Sequence, residues 1–331
     1  MLFQVSVFWV NYNSMHIAET IKESLDAIFE LDYPSYEVIV VDNGSTDGSA
    51  ATIQKYLEKV RSGIGTNERV KFIGLKRNWG FAGGNNAAYR ARDRRSKYVA
   101  LINNDLVPRS DYLRKLATFM DEHRDIGAVQ GIVVRIADSS IIDSAGFFLD
   151  ESLRVYDTFL GPASQLREPI LVSGVEGTMP MYRVDSLLDT LPDSETLYVP
   201  SAFMYYLEDV LVSLLLWNHG YKCAVLPIVA GKHLRLATIR RYVKSDRALY
   251  YGLRNRIALL SMTNSGNRKI YVLKNIRKLV VSKHSMTQRK IMLRALIDGI
   301  MLGQTLEKKY GTIDLYRAPL IRTPIRERFL I

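Results

Sequence analysis

The sequence predicts an α/β fold, built on a doubly wound, mostly parallel sheet that is followed by a helical C-terminal region. Segments typical of buried strands alternate with segments of helical periodicity four times in about the first 105 residues. This alternation implies right-handed βαβ crossovers, which form parallel sheets with helices on both faces. From about residue 244 onward, the apolar residues recur almost throughout at helical spacing, which predicts the helical region.

The strands and helices of the sheet follow one another in order along these first residues. Leu2–Val10 is rich in Val and Phe and stops at a run of Asn and Ser, as strands do. Tyr36–Val41 is a short continuous apolar run, typical of a buried parallel strand. The other predicted strands are Val70–Leu75 and Tyr98–Ile102. The predicted helices are Ile17–Leu31, Ala50–Val60 and Ala82–Arg92.

After Gly127 the alternation of strands and helices is weaker. The predicted elements of this part are the strands Ala128–Ile136, Val155–Phe159 and Tyr221–Val229 and the helix Leu207–Asn218. The helical pattern then continues to the end of the chain. We therefore predict two units, residues 1–240 with the sheet and residues 241–331 with the C-terminal helices.

The charge is divided unevenly along the 331-residue chain, whose formal net charge is +11. Residues 231–331 hold 23 Lys and Arg against 5 Asp and Glu, a net charge of +18, whereas residues 1–230 carry a net charge of −7. Such an asymmetry indicates two regions with different partners. The acidic region is suited to cation chemistry, and the basic region is expected to bind phosphate, on lipid or on nucleic acid.

The composition excludes several classes of protein. Hydrophobic residues make up 47% of the chain and charged residues 24%, which excludes a disordered tail, a collagen-like chain and a disulfide-stapled mini-domain. The single cysteine, Cys223, rules out an internal disulfide and favours a reducing compartment. The sequence has no run of 18 or more apolar residues, so we expect no membrane-spanning helix.

Polar side chains follow the predicted strands at their carboxyl ends, where α/β sheets bind ligands. Asp42 comes directly after the second strand and can accept hydrogen bonds from a nucleobase or ribose, or it only forms a turn. Asn103, Asn104 and Asp105 follow the fourth strand. A carboxylate there can hold a divalent cation that stabilises a leaving diphosphate. The alternative is an Asx-turn before Pro108.

A glycine-rich segment, Arg77–Asn86, follows the third strand and leads into a helix. Glycines let backbone N–H groups approach an anion, and a helix N-terminus favours negative charge, so this segment is a candidate phosphate-binding loop. Its spacing matches neither the dinucleotide fingerprint nor the P-loop. A plain glycine-rich loop is the alternative.

Two adjacent carboxylates, Glu208 and Asp209, begin a predicted helix inside an otherwise apolar stretch. Because burying carboxylates is costly, they are candidates for a general base, the alternative being a simple interaction with the helix dipole. We expect the helix N-terminus to keep Asp209 ionised. His233 follows the last predicted strand, which makes it a candidate metal ligand, the alternative being a structural histidine.

Together these segments resemble family 2 glycosyltransferases, which have the GT-A fold with its Rossmann-like nucleotide-binding sheet, and they most resemble the rhamnosyltransferase-like branch. The match covers about residues 4–260, in the expected order. The matching stretches are Val10-Asn11-Tyr12-Asn13, Val40-Val41-Asp42-Asn43-Gly44-Ser45-Thr46-Asp47-Gly48, Asn78-Trp79-Gly80-Phe81-Ala82-Gly83-Gly84-Asn85-Asn86, Leu101-Ile102-Asn103-Asn104-Asp105 and Tyr206-Leu207-Glu208-Asp209. His233 and a helix carrying Arg254-Asn255-Arg256 also fit the family.

The resemblance implies an inverting, metal-dependent glycosyltransferase of the hexosyltransferase type, acting in polysaccharide biosynthesis. It would move a sugar from a nucleoside diphosphate sugar to a glycan or lipid-linked acceptor, with residues 1–240 as the GT-A catalytic domain. Asp209 would be the base, beside Glu208 in the Glu-Asp motif. Asp105 and His233 would hold Mg²⁺ or Mn²⁺, with His233 able to contact the diphosphate instead. The implied nucleotide-sugar-binding residues are Asn11, Asp42, Asn78, Gly83, Asn86, Asn103 and Asn104.

Two positions depart from the family pattern. Asn103 stands in place of the first aspartate of the Asp-X-Asp element, which makes the metal site less acidic. Leu211 stands in place of the second acidic residue of the Glu-Asp-X-Asp-Leu motif. A degenerate, non-catalytic protein that binds a nucleotide sugar or a glycan is therefore an alternative. A sugar nucleotidyltransferase of the same fold is another, although it would need a basic glycine-rich loop where Asn11-Tyr12-Asn13 stands.

The basic C-terminal region predicts a surface that faces a membrane. Ile270–Lys283 places apolar residues at helical spacing between lysines and arginines, and Ile291–Gly303 is more apolar still. A basic amphipathic helix can lie in a membrane interface with its cations on anionic head groups; alternatively, both helices pack on the rest of the protein. We expect a cytoplasmic protein attached peripherally to the inner face of the cell membrane. We expect no nucleic-acid partner, since the sequence has no recognisable RNA-binding motif.

Overall fold

The fold is known from a computed structural model, which describes residues 4–64, 69–157, 166–198, 207–234, 246–281 and 285–321. The strands are β1 (Val5–Asn11), β2 (Tyr36–Asp42), β3 (Val70–Gly74), β4 (Tyr98–Asn103), β5 (Leu106–Pro108), β6 (Ile126–Arg135), β7 (Ile142–Ser144), β8 (Phe147–Leu149), β9 (Val155–Asp157), β10 (Ile170–Leu171), β11 (Pro180–Arg183) and β12 (Lys222–His233). The helices are α1 (Ala18–Phe29), α2 (Ser49–Ile64), α3 (Gly80–Ala91), α4 (Tyr112–Glu122), α5 (Val184–Thr190), α6 (Glu208–Asn218), α7 (Asp246–Met262), α8 (Asn267–Val281) and α9 (Met286–Tyr310).

One large sheet organises the described part of the chain. Its strand order is β10-β12-β6-β11-β4-β1-β2-β3, with β5 paired to β12 and β7 to β6. The longest pairings are parallel: β1 lies between β2 and β4, β3 extends the sheet beyond β2, and β12 runs beside β6. The predicted α/β class with a mostly parallel sheet is therefore confirmed.

Both faces of this sheet are covered, as parallel sheets require. Successive side chains of a strand point to opposite faces, and accordingly Phe8 of β1 packs in one apolar cluster while Val7 and Trp9 pack in the other. Helices α3 and α6 contribute to the cluster of Phe8, and helices α1, α2 and α4 contribute to that of Trp9. The result is a three-layer arrangement of a sheet between two layers of helices.

Strand β11 and helix α4 are not among the elements that the sequence predicts. The four residues of β11 run antiparallel between β4 and β6 and so join the two parallel parts of the sheet. Four residues are too few to produce a recognisable alternation. Helix α4 does carry a signal, because its buried residues recur at helical spacing. These residues are Tyr112, Leu113, Leu116, Ala117 and Met120.

Several predicted bounds change in the structure. Strand β12 continues to His233, beyond the predicted end at Val229, and the helix predicted from Ile291 to Gly303 lies within α9. The predicted helix Ile270–Lys283 corresponds to α8, and its last two residues lie outside the described ranges. Of the predicted strand Val155–Phe159, the structure describes only the part to residue 157.

Helices α7 and α9 of the C-terminal region pack closely, because two glycines of α9 face α7. A Cβ atom at Gly299 would lie 2.7 Å from the carbonyl oxygen of Arg254, and one at Gly303 would lie 2.8 Å from that of Ala258. Leu260 of α7 belongs to the main apolar cluster on one face of the sheet. The C-terminal helices therefore share a core with the sheet, and the predicted boundary at residues 240 and 241 lies outside the described ranges.

A helix must be both long and apolar to cross a membrane. Across the residues that the structure describes, no helix is both long enough and apolar enough to cross a bilayer.

Candidate active site

The parallel register of the central strands brings the predicted polar residues to one edge of the sheet. Asn11 at the end of β1 lies beside Asp42 at the end of β2, and Val10 lies beside Asn103 at the end of β4. Because these strands run in the same direction, their carboxyl ends meet at this edge. Ligands of open α/β sheets bind in the crevice outside such an edge.

Asn11 and Asp42 form the buried base of this edge. The Asn11 Nδ2 donates to Asp42 Oδ1 at 2.8 Å and to the hydroxyls of Ser45 and Ser49 at 3.1 and 3.0 Å. The backbone N–H of Ser45 donates to the other oxygen of Asp42 at 2.9 Å. Asn104 donates to Asn11 Oδ1 at 3.3 Å. The structure thus shows Asn11 and Asp42 ordering the loop after β2.

A cavity of about 260 Å³ opens at this edge, between the strand ends and the beginning of α3. Three of the predicted binding residues, Asn78, Asn103 and Asn104, line it. The remaining lining residues are Val10, Tyr12, Asn43, Gly80, Phe81, Asn85, Leu101 and Ile102. The aromatic ring of Tyr12 is 45% exposed, so it is available for contact with a ligand.

Asn43 is a residue of this site that sequence reasoning missed, although it belongs to one of the family-like stretches. It donates to Asn78 Oδ1 at 3.1 Å and to the carbonyl of Gly80 at 2.9 Å, and its own oxygen accepts the backbone N–H of Trp79 at 3.0 Å. Asn78 accepts the N–H of Gly80 at 2.7 Å, and the φ of Gly80 is +72°. These bonds fix the turn before α3.

Gly83 and Asn86 lie in α3 but outside the residues that line the cavity. A Cβ atom at Gly83 would lie 2.4 Å from Cβ of Trp79, so this glycine allows the turn to pack on the helix. The buried Asn86 amide accepts the N–H groups of Leu197 and Tyr198 at 2.9 Å and donates to the carbonyl of Tyr198 at 2.6 Å. Both residues therefore fix how α3 packs against neighbouring segments, and neither lines the cavity.

Asp105 and His233 meet at the other end of the edge. The His233 Nε2 lies 3.0 Å from Asp105 Oδ1, and its Nδ1 lies 2.6 Å from Asp143 Oδ2. Strand β5 pairs with β12 so that Leu106 lies opposite His233, and this pairing explains how residues 128 positions apart come into contact. Asp143 is a second residue of this cluster that the sequence did not indicate.

The two carboxylates decide the protonation of His233. Burial by itself lowers the pKa of the imidazole, but the hydrogen bonds and charges of Asp105 and Asp143 outweigh burial and raise the pKa to about 9. Near neutral pH both ring nitrogens therefore donate to carboxylates. A cation that takes Nε2 as a ligand displaces a proton, as metal binding generally does.

The residues at this end fit a divalent cation that is bound together with a diphosphate. In the described ranges no group of three or more His, Cys, Asp or Glu side chains could enclose a metal by itself. The Asp105 side chain is 20% exposed, while His233 beside it is buried. One carboxylate plus phosphate oxygens is a common way to hold Mg²⁺. Asp105, with His233 beside it, therefore offers an incomplete ligand set that substrate oxygens would complete.

The acidic pair lies at the start of α6. Asp209 accepts the backbone N–H of Gly177 at 3.2 Å and that of Val210 at 2.9 Å. Glu208 is buried, and among the described residues its Oε2 has no hydrogen-bond partner. The pair is preceded by Leu207 in a left-handed conformation with φ of 71°, which turns the chain into the helix.

The pKa of Asp209 shifts in the direction opposite to the one that a helix N-terminus favours. Burial raises the pKa of Asp209 despite the N–H groups that it accepts. Burial and the neighbouring Asp209 charge raise the pKa of Glu208 to about 8. The helix N-terminus does not outweigh the loss of hydration in this apolar setting. The two carboxyls therefore titrate as a pair.

The loop of residues 176–178 contacts both Asn103, which lines the cavity, and Asp209 of the acidic pair. Asn103 donates its backbone N–H to the carbonyl of Thr178 at 3.1 Å, and Gly177 donates to Asp209. Glu176 is a third acidic residue that the sequence did not indicate. Its backbone N–H donates to Gln130 at 2.8 Å, and burial raises the pKa of its carboxyl to about 8. Strand β6, which carries Gln130, thus holds this loop between the cavity and the acidic pair.

Comparison with protein families and curated proteins gives consistent findings. The family model described as Glycosyl transferase family 2 matches residues 6–191, more than half of the chain. TuaG of Bacillus subtilis (strain 168), named for glycosyl transfer in teichuronic acid biosynthesis, is 31% identical over 140 residues, which are 42% of this chain and 50% of TuaG. A poly-beta-1,6-N-acetyl-D-glucosamine synthase of Staphylococcus epidermidis is 26% identical over 114 residues, 34% of this chain and 25% of the synthase. The matched segments span half or less of these relatives.

Solved structures show the same fold at low sequence identity. The S. aureus TarS 1–349 structure superposes with a TM-score of 0.53 at 18% identity and covers 95% of this chain and 89% of its own. The mannosyltransferase PcManGT from Pyrobaculum calidifontis, in complex with GDP-Man and Mn²⁺, gives a TM-score of 0.52 at 17% identity, with 96% and 78% of the two chains covered. The predicted GT-A fold is confirmed by these structures.

Proposed function

Because this chain belongs to glycosyl transferase family 2, we propose that it transfers a sugar from a nucleoside diphosphate sugar to a glycan or lipid-linked acceptor. The observation that carries this proposal is the chain of contacts between the cavity and Asp209. The cavity of Asn78, Asn103 and Asn104 lies at the sheet edge that also bears Asp105, and the loop of residues 176–178 leads from there to Asp209. The order of the matching motifs supports the rhamnosyltransferase-like branch of the family.

In this proposal the cavity binds the nucleoside part of the donor. Tyr12 offers an aromatic face, and the amides of Asn78, Asn103 and Asn104 offer donors and acceptors for a base or ribose. Asn11 and Asp42 keep the floor of the cavity in place through their mutual hydrogen bond. Glycosyl transfer needs such positioning, because holding two reactants in the correct geometry lowers the entropic part of the barrier.

The diphosphate would lie at the end of the edge that carries Asp105 and His233. A bound Mg²⁺ or Mn²⁺ would supply positive charge to the leaving diphosphate. Asp105 would hold that cation through a carboxylate oxygen, and His233 would contact the cation or the diphosphate through Nε2. The complex of PcManGT with GDP-Man and Mn²⁺ supports this proposal by analogy of fold.

Asp209 is the proposed general base. It would take the proton from the acceptor hydroxyl while the hydroxyl oxygen forms the bond to the anomeric carbon and the bond to the diphosphate oxygen breaks. A single displacement of this kind inverts the anomeric configuration. Burial raises the pKa of both carboxyls, so Asp209 acts as a base once the pH exceeds its raised pKa.

The test of the proposed function is a screen of nucleotide sugars for release of the nucleoside diphosphate with Mn²⁺ present. We expect one donor to give release that increases when a glycan or lipid-linked acceptor is added. Donor binding without release, with every donor and acceptor tried, would instead favour a degenerate sugar-binding protein, as the Leu211 departure allows. Pyrophosphate release from a nucleoside triphosphate and a sugar phosphate would favour a nucleotidyltransferase.

A second proposal concerns the partner of the C-terminal helices, an anionic membrane surface. Helix α9 is apolar on two sides. Its buried side packs on α7, and its outer side exposes large apolar residues at intervals of four or seven positions, which places them on one face. These residues are Met286, Leu293, Ile297 and Met301, which are 51–68% exposed.

The charges around this outer face fit anionic lipid. The exposed Lys290 and Arg294 lie between its apolar residues, and α8 adds the exposed Leu273 with Arg277 and Lys278 beside it. Each Lys or Arg near an anionic surface contributes about 1 kcal/mol to binding. The cytoplasmic leaflet is the anionic one, which supports attachment at the inner face of the cell membrane.

The membrane proposal predicts salt-sensitive cosedimentation with vesicles. We expect the protein to pellet with anionic vesicles at low salt, less at high salt because of screening, and little with neutral vesicles. Replacing Leu293 and Ile297 with Asn should reduce pelleting, whereas Leu188→Asn, which changes a 42% exposed leucine on α5, should not. Equal recovery of the protein in the supernatant under all conditions would contradict the membrane proposal. The C-terminal helices would then only pack on the rest of the protein.

A further inference from the structure

We propose that Asp143 is a positioning residue of the donor site, which orients the His233 imidazole so that Nε2 faces Asp105. The inference rests on the proposed function, because it assigns a role at the diphosphate end of that site. Asp143 lies in β7, is 5% exposed, and belongs to none of the stretches that resemble the family. Its Oδ2 lies 2.6 Å from His233 Nδ1, on the side of the ring opposite to Asp105.

Three adjacent strands place Asp143 where it can act on His233. Strand β6 lies between β7 and β12, and Arg135 of β6 is opposite His233 in the register of β12. The pairing of β6 with β7 is irregular between Val133 and Val134, at the position where Asp143 lies on the other strand. Asp143 thus lies at the irregularity, and its side chain reaches His233 across β6.

The carboxylate of Asp143 is itself held from a second direction. Arg135 Nε lies 3.4 Å from Asp143 Oδ1, and the Asp143 side chain is only 2% exposed. The contact with Arg135 is an ion pair without a hydrogen bond, so the 2.6 Å contact with His233 Nδ1 is the stronger constraint on this buried carboxylate. Its position therefore favours one plane of the imidazole and selects Nδ1 as the nitrogen that donates its N–H to Asp143.

The consequence for the donor site is a defined chemistry at Nε2. With Nδ1–H donating to Asp143, only Nε2 can release a proton and present a lone pair beside Asp105. A carboxylate that accepts from the second nitrogen of a ligating histidine is a recurrent way to fix the tautomer and raise the basicity of the ligand. Loss of such a partner typically weakens metal binding about 10–100-fold.

The alternative is that Asp143 only stabilises the fold by pairing with buried cations. Breaking a buried ion pair is destabilising in either case, so stability alone does not distinguish the two roles. A positioning role has two further consequences, and each of them can be measured. The effect on cation affinity must pass through His233, and the Nδ1 proton of His233 must be held by Asp143.

The first experiment measures Mn²⁺ binding by calorimetry with UDP or GDP present, on the whole chain. We expect Asp143→Asn to weaken Mn²⁺ binding about 10–100-fold. The matched control is Asp138→Asn, which removes a carboxylate that bonds only within its own turn, to Ser140, and should change little. In a double-mutant cycle, His233→Gln should weaken binding, and adding Asp143→Asn to it should have no further effect. Independent, additive losses would overturn the proposal.

The second experiment needs neither turnover nor cation. In ¹H–¹⁵N spectra, the Nδ1 proton of His233 should give a downfield signal that is absent in His233→Gln and lost or shifted in Asp143→Asn. This readout separates the inference from the proposed function. If the wild-type chain bound no Mn²⁺ with either nucleotide, the donor proposal would fail while the signal still reported on Asp143. A His233 ring without that proton in the wild type would overturn the positioning role.

Discussion

Replacing Asp209 with Asn is expected to lower turnover by about 10²–10⁴-fold, the typical contribution of a general base, while the affinity for the donor changes little. Asn keeps the size of the side chain and can still accept the N–H of Gly177, so the loop of residues 176–178 should stay in place. It cannot take the proton of the acceptor hydroxyl. Single-turnover rates with the donor found in the screen, together with donor binding by calorimetry, check this prediction.

The pH dependence of turnover provides the control for Asp209. A base works only when it is ionised, and burial raises the pKa of this carboxyl. Wild-type turnover should therefore rise as the pH increases through that raised pKa, and Asp209→Asn should lose this rise. Glu208→Gln is the matched variant, and we expect it to be far less damaging. If Asp209→Asn stayed within a few-fold of the wild type, Glu208 would become the candidate base.

Replacing Asp105 with Ala is expected to reduce transfer by about 10³-fold or more. A bound cation contributes several kcal/mol of charge stabilisation in the transition state, and each 1.36 kcal/mol is a factor of ten in rate. The side chain is 20% exposed at the edge of the sheet, so its removal should leave the fold intact. Rates measured across a series of Mn²⁺ concentrations, with thermal unfolding alongside, check both expectations.

Asp105→Asn separates the charge of this residue from its shape. The amide keeps the volume but loses the negative charge that a cation needs, so Asn should be nearly as damaging as Ala. The wild-type enzyme should lose activity in EDTA and regain it with Mn²⁺ or Mg²⁺. An Asp105→Ala variant that remained fully active in EDTA would contradict a cation held by Asp105.

The position of the site was predictable from sequence because it depends on a general property of parallel sheets. Asn11, Asp42 and Asn103 each end a strand of the predicted pattern, and strands that run in the same direction end at the same edge. The observed register, with Asn11 beside Asp42 and Asn103 beside Val10, confirms this. Only the order of the strands was needed for the prediction.

The tasks of individual residues were less predictable. Asn78 and Asn86 belong to the same glycine-rich stretch, yet the structure places Asn78 at the cavity and Asn86 against Tyr198 on its far side. A helix turns by about 100° per residue, and which face meets a distant segment depends on how the whole chain packs. The motif alone could not distinguish a residue that lines the cavity from one that holds a neighbouring segment against the helix.

The sequence by itself determined the α/β class, the family-like motifs and the edge of the sheet where the polar residues gather, because these depend on local periodicity and on the order of strands. The tertiary structure alone decided that Asp143 holds His233, that Gly177 contacts Asp209, and that burial raises the pKa of the acidic pair. These two contacts join residues 90 and 32 positions apart. Their formation depends on which strands pair, and a carboxyl's pKa depends on how much water that pairing and packing exclude from it.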